Sequence, residues 1–118
     1  MQRIILKSKI HNATITHADL EYEGSISIDE DLLIMADIVE HERVQVVNLN
    51  NGERFETYVI CAEKKSGIIG LNGPAARLGQ KGDRVHILSY AVVDENERVN
   101  FKPKTVFLDR QNTVTMKK

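Results

Sequence analysis

Apolar residues along this 118-residue chain recur mostly at every second position, with β-branched types prominent, which predicts many short strands rather than long helices. Met1 to Lys9 reads as the first strand and Ala13 to Leu20 as the second. Ser27-Ile28-Asp29-Glu30 leads into Asp31-Leu32-Leu33-Ile34-Met35-Ala36, where acidic residues in the first turn favour one short helix. Val44 to Asn48 and Glu53 to Cys61 then form a hairpin about Asn51-Gly52, a dipeptide suited to positive φ. Gly67 to Gly73 reads as a glycine-rich loop, and Pro74 as the start of a helical turn through Leu78 that Gly79 and Gly82 close. Arg84 to Val93 and Lys104 to Leu108 are the last strands, and the polar tail after Asp109 is expected to fray. Many short strands with one or two short helices point to a mainly β fold, a small closed barrel without exposed sheet edges.

The length suits a single domain over residues 1–118. Sixteen Lys and Arg against seventeen Asp and Glu leave a net charge of −1, which offers no field for nucleic acid or an anionic membrane and favours a small substrate. Cys61 is the only cysteine, so neither an internal disulfide nor a cysteine-rich metal site is available. The opening MQRIILKSKIH lacks the apolar run and small-residue cleavage site of a secretory signal, so a cytoplasmic protein is expected. The match of Asn12-Ala13-Thr14 to a glycosylation sequon is then incidental.

The chemistry is concentrated at Tyr22-Glu23-Gly24-Ser25. The Ser25 hydroxyl can reach the Gly24 carbonyl through a five-membered ring and shift the acyl group from nitrogen to oxygen. Glycine leaves that carbonyl unobstructed and tolerates unusual dihedrals. On the strand after Gly52, alternation places Arg54, Glu56 and Tyr58 on one face and Phe55 and Thr57 on the other. Arg54 offers a carboxylate clamp and Tyr58 a phenolic proton. Thr57 acts beside them only if a twist, a bulge or a second subunit intervenes. Lys9 and His11 share a strand face, where a solvated face competes with a charged pocket. His11, His17, His41 and His86 are scattered without ligand spacing, so no metal is expected. Gly67, Gly70 and Gly73 match no phosphate fingerprint, although N–H groups after Gly73 could hold a carboxylate.

Lys9-Ile10-His11, Ala13-Thr14-Ile15-Thr16, Tyr22-Glu23-Gly24-Ser25, Arg54-Phe55-Glu56-Thr57-Tyr58 and Asn72-Gly73-Pro74-Ala75-Ala76-Arg77, in this order and spacing, closely resemble pyruvoyl-dependent aspartate 1-decarboxylase. The resemblance runs from the first residue to about Asp109. It implies a double-psi β-barrel, a homotetramer with sites between subunits, and a precursor that cuts itself between Gly24 and Ser25 into chains 1–24 and 25–118. Ser25 would thereby become a covalent pyruvoyl group, with no pyridoxal phosphate and no metal, and an accessory maturation factor is held open as a second partner. The implied reaction takes L-aspartate to β-alanine and CO2 through a Schiff base with that group, for pantothenate synthesis. The implied roles are Thr57 as oxyanion stabiliser during cleavage, Tyr58 as proton donor, and Arg54 with Lys9 as substrate-carboxylate ligands. Thr57, Asn72, Gly73, Pro74 and Ala75 would complete the substrate contacts. Pro74 departs from a position where the family often has alanine, and without an N–H it leaves backbone donation to Ala75 or Ala76. Two other classes compete: a small-barrel DNA-binding transcription factor, with Lys7, Lys9 and Arg54 on phosphates, and a structural subunit without activity.

Overall fold

The computed structural model describes residues 1–115. Its strands are β1 (Gln2–Thr14), β2 (His17–Asp19), β3 (Ser25–Asp29), β4 (Arg43–Asn48), β5 (Arg54–Ala62), β6 (Ile69–Asn72), β7 (Arg84–Asp94), β8 (Lys104–Leu108) and β9 (Val114–Thr115). Two short helices, α1 (Glu30–Ala36) and α2 (Glu95–Arg98), and a 3-10 turn over Gly73–Arg77 complete the fold, which is mainly β as expected.

The strands pair in the order β2-β6-β3-β5-β4-β7-β1-β8-β9. No ladder joins β2 to β9 among the described residues, yet the sheet still returns on itself. β1 and β2 are one stretch of chain, bent at Ile15-Thr16, so the order from β2 round to β1 begins and ends on the same segment. Thr16 N donates to Ile69 O at 2.7 Å and Ile15 N to Asp83 O at 2.8 Å, which fixes the bend against β6 and the entry to β7. One hydrophobic cluster fills the enclosed space, with Ile10 and Ala13 of β1, Ile26 and Ile28 of β3, Val44 and Val46 of β4, Val59 of β5, and Ile69 and Leu71 of β6 among its members. Burying such a set is the main force holding the ring together.

Several elements differ from the sequence reading. The first two strands were expected to part before Ala13, but β1 continues through Thr14, because register shifts against β7 between Leu6 and Ser8 and between Ile10 and Ala13 absorb the irregular residues as bulges. Asn12, at φ 65°, sits in the second shift. Ser25–Asp29 is a strand of its own, and the expected loop over Gly67–Gly73 contains β6, buried throughout. Gly70 and the apolar pair Ile69 and Leu71 fit a covered central strand, which has no alternation to reveal it. The tail does not fray through Thr115: Val114 and Thr115 pair with β8, and Asn112 is buried, donating to Thr14 O and Gly67 O. Residues 116–118 lie outside the described residues.

The helix forms where its acidic start predicts. Asp29 caps it, accepting from Asp31 N at 2.8 Å, and the same carboxylate accepts from Lys65 N and Gly67 N at 3.1 and 2.8 Å. One buried side chain therefore ends β3, starts α1 and fixes the approach to β6. Among the described residues no helix is long and apolar enough to cross a membrane.

Candidate active site

Ser25 opens β3 and is only 2% exposed. Antiparallel pairing with β6 places it opposite Asn72, the last residue of that strand. Asn72 Nδ2 donates to Ser25 Oγ and to Ser27 Oγ, both at 2.9 Å, so one side chain holds two hydroxyls on the same strand face. Asn72 is itself buried, and the bonds to two hydroxyls fix the rotamer of its amide.

Gly73 follows at φ +65°, and a Cβ there would lie 2.7 Å from Tyr22 O and 2.8 Å from Gly24 N. The absence of a side chain is thus what lets the β6 exit lie directly on the Tyr22–Gly24 backbone. Positive φ falls on Gly73 and not on Gly24. The constraint at Gly24 is contact, since a Cβ there would meet Pro74 Cδ at 3.3 Å. Pro74 pre-sets the following 3-10 turn and packs on the candidate scissile residue, while Ala75 is buried beneath. Gly24, Ser25, Asn72, Gly73, Pro74 and Ala75 are thus gathered in one cleft.

β5 runs parallel to β3 on the other side, in a register that begins with Ile26 opposite Val59. The residues just before that pair are Ser25 and Tyr58, so Thr57 and Tyr58 lead into the ladder where Gly24 and Ser25 do. The alternation read from sequence holds: Arg54, Glu56 and Tyr58 are exposed, while Phe55 and Thr57 are half-buried. Tyr58 is 38% exposed, with its ring edge-on to His41 at 6.5 Å between centroids. Arg54 lies four residues earlier, roughly 13 Å along the strand. Lys9 is on β1 opposite Leu88 of β7, four ladder steps from β3 in the strand order. Among the described residues no hydrogen bond or ion pair joins Lys9 or Arg54 to Ser25.

Lys9 belongs to another cluster. The His11 ring stacks on His86 with centroids 4.1 Å apart and meets Phe107 edge-on at 5.3 Å. Asn12 N donates to His86 Nδ1 at 3.1 Å, which leaves that nitrogen the acceptor of a neutral ring. Burial, then His11, Lys9 and Arg84, pushes the His86 pKa down to about 4.

Ser27 was missed by the sequence reading. Its signal is the Ser25-x-Ser27 alternation, which is visible only once Ser25–Asp29 is taken as a strand. Beside it opens a groove of about 870 Å3 whose lining includes Thr16, His17, Tyr22, Ser27, Ile60 and Asn72. Neither Ser25, Arg54 nor Tyr58 is among the residues that line it. Among the described residues no group of three or more metal-ligating side chains converges.

A family model described as "Aspartate decarboxylase" matches residues 1–115. Aspartate 1-decarboxylase of Thermoanaerobacter pseudethanolicus is 54% identical over 112 residues, covering 95% of this chain and 96% of that protein. The enzyme of the same name from Caldicellulosiruptor bescii is 58% identical over 110 residues, covering 93% and 86%. That of Syntrophus aciditrophicus is 56% identical over 114 residues, covering 97% and 98%.

Proposed function

The chain belongs to the aspartate decarboxylase family, and from that premise we propose that it releases the α-carboxylate of L-aspartate as CO2, yields β-alanine, and does so with a pyruvoyl group made from its own Ser25. The observation that carries this reading is the contact between two distant segments: Asn72 holds the Ser25 hydroxyl at 2.9 Å, and Gly73 leaves room for the backbone of Tyr22–Gly24 where a Cβ would not fit. The residues at this position fit a group formed from residue 25. They are small or hydrogen-bonding, and they crowd the backbone without covering it with charge.

Maturation proceeds by attack of Ser25 Oγ on the Gly24 carbonyl carbon, with the Gly24–Ser25 C–N bond breaking as the ester forms. Asn72, donating to that oxygen, holds it in place and leaves the hydroxyl proton free to depart. Elimination then releases residues 1–24 with a free carboxylate, and hydrolysis of the dehydroalanine at residue 25 releases ammonia. Thr57, half-buried on β5 just before its ladder with β3, stabilises the oxyanion on the Gly24 carbonyl oxygen.

When formed, the pyruvoyl carbonyl supplies the electron sink for the pair left on the α-carbon as CO2 departs. Tyr58 delivers a proton to that carbon from a half-open position. Arg54 holds a substrate carboxylate through its guanidinium, Lys9 adds positive charge, and the Asn72–Ala75 segment shapes the floor. A homotetramer in which neighbouring subunits share each site would bring Arg54 and Lys9 to Ser25, with which they share no hydrogen bond or ion pair among the described residues of one chain. The reading places the protein in the cytoplasm, supplying β-alanine for pantothenate synthesis, with a maturation factor as a further candidate partner. The DNA-binding alternative is not favoured by the match over residues 1–115.

Intact-mass measurement after prolonged incubation tests the reading. Two species are expected, residues 1–24 and residues 25–118, the second with a terminal ketone in place of the serine. Ser25→Ala is expected to fold, remain uncut and lack activity. A single uncut chain with an ordinary serine that still makes β-alanine overturns the proposal.

A further inference from the structure

The outward face of β5 carries Arg54, Glu56 and Tyr58, and a carboxylate two residues from the proposed clamp is its natural competitor. Glu56 is directed away from it. Arg43 of β4 donates to Glu56 Oε1 at 2.5 Å, across the diagonal of a ladder in which Arg43 faces Tyr58 and Gln45 faces Glu56. On the next diagonal, Arg54 Nη1 donates to Gln45 Oε1 at 3.1 Å, and the same oxygen accepts from Tyr90 Oη at 2.8 Å. Tyr90 reaches it from β7, which pairs with β4 on the other side.

We propose that Arg43 and Gln45 are positioning residues that sort the charges on this face, so that Arg54 is held in place while its positive charge stays available to a substrate carboxylate. The division of labour follows from chemistry. A carboxamide oxygen orients a guanidinium without neutralising it, whereas a neighbouring carboxylate would do both. Arg43 takes Glu56 out of that competition. Tyr90 fixes the amide, because two donors on one oxygen leave Gln45 little rotational freedom. A guanidinium held by only one of its nitrogens keeps other N–H groups for a bidentate partner.

The inference rests on Arg54 acting as the carboxylate clamp, so the test begins there. Arg54→Lys in the matured enzyme should raise KM for aspartate at least about tenfold, since a point charge does not replace a bidentate fork. Gln45→Leu should raise KM about threefold to fivefold with kcat within a factor of two and normal self-cleavage, the size of one solvent-exposed hydrogen bond. Gln45→Asn, too short to reach Arg54, should do the same and serves if the leucine variant does not fold. Arg43→Leu should raise KM about twofold to threefold by freeing Glu56. Adding Glu56→Gln should restore it, a rescue that a purely structural role would not give. An unchanged KM in Arg54→Lys removes the clamp reading itself. A raised KM there, with no change in either Gln45 variant or with no rescue by Glu56→Gln, overturns the positioning proposal alone.

Discussion

β3 and β5 are neighbours in one parallel ladder, yet the two regions they serve are built in opposite ways. Ser25 is 2% exposed, its oxygen held by one directional donor and its backbone pressed by a glycine without room for a methyl group. Tyr58 is 38% exposed, and Arg54 and Glu56 stand outside, held by long side chains across strand diagonals. A peptide that must attack itself needs its two atoms held within a narrow range of geometry, and packed backbone supplies that with no substrate to wait for. A site that admits and releases a small molecule needs an open face with adjustable polar contacts. The contacts of the cleft run between backbone and short side chains, whereas those of the face run between long side chains on three strands.

Breaking the cleft should therefore be close to all-or-none. Gly73→Ala places a methyl group on Tyr22 O and Gly24 N at a φ that L-residues resist, so the cleft must open. Self-cleavage should fall by about 100-fold or more, with stability lower by roughly 1–3 kcal/mol. Fragment masses over time and a denaturant midpoint check both. Normal cleavage would remove backbone contact from the account.

Tyr58→Phe separates the two regions, because the cleft does not need the phenol. Self-cleavage should proceed normally while kcat for decarboxylation drops about 100-fold or more, the range of a positioned proton donor. Parallel mass and turnover measurements decide it, and equal loss of both would merge the two regions into one.

Asn72→Ala should act more gently and on the cleft first. Losing the donor to Ser25 and Ser27 should slow maturation about tenfold, or roughly 1.4 kcal/mol in the barrier. If the matured variant then turns over aspartate normally, Asn72 belongs to the cleft alone.

Acidification should spare the cleft, whose Ser25–Asn72 contact has no ionisable partner, and act around the barrel at His86. Its folded pKa of about 4 lies below its ordinary 6.5, so the unfolded chain binds the extra proton first. Stability should fall as pH drops from about 6.5 to about 4 and lose no more from this group below that. Glu42 adds to the slope. Its burial works against ionisation, but bonds from Lys7 and Ser89 outweigh that and hold its carboxyl below 4.5, so its contribution fades as pH falls further. A His86→Gln variant should show a shallower decline in Tm between pH 6.5 and 4, and an identical slope would discount the histidine.

The chain by itself determined the local chemistry. The Gly24-Ser25 linkage, the alternation of Arg54 to Tyr58, the Asn51-Gly52 turn and the acid-led helix all depend on residues a few positions apart, which share a face or a turn through backbone geometry alone. Tertiary structure decided what distance along the chain conceals. β6 reads as a glycine-rich loop until both its faces are covered, and β1 reads as two strands until bulges carry it through Asn12. A positive φ beside the cleavage point belongs to Gly73, where two segments almost fifty residues apart are pressed together. Periodicity reports which way a side chain faces. What it faces is set by the burial of the common core, to which β1, β3, β4, β5, β6, β7 and β8 contribute jointly.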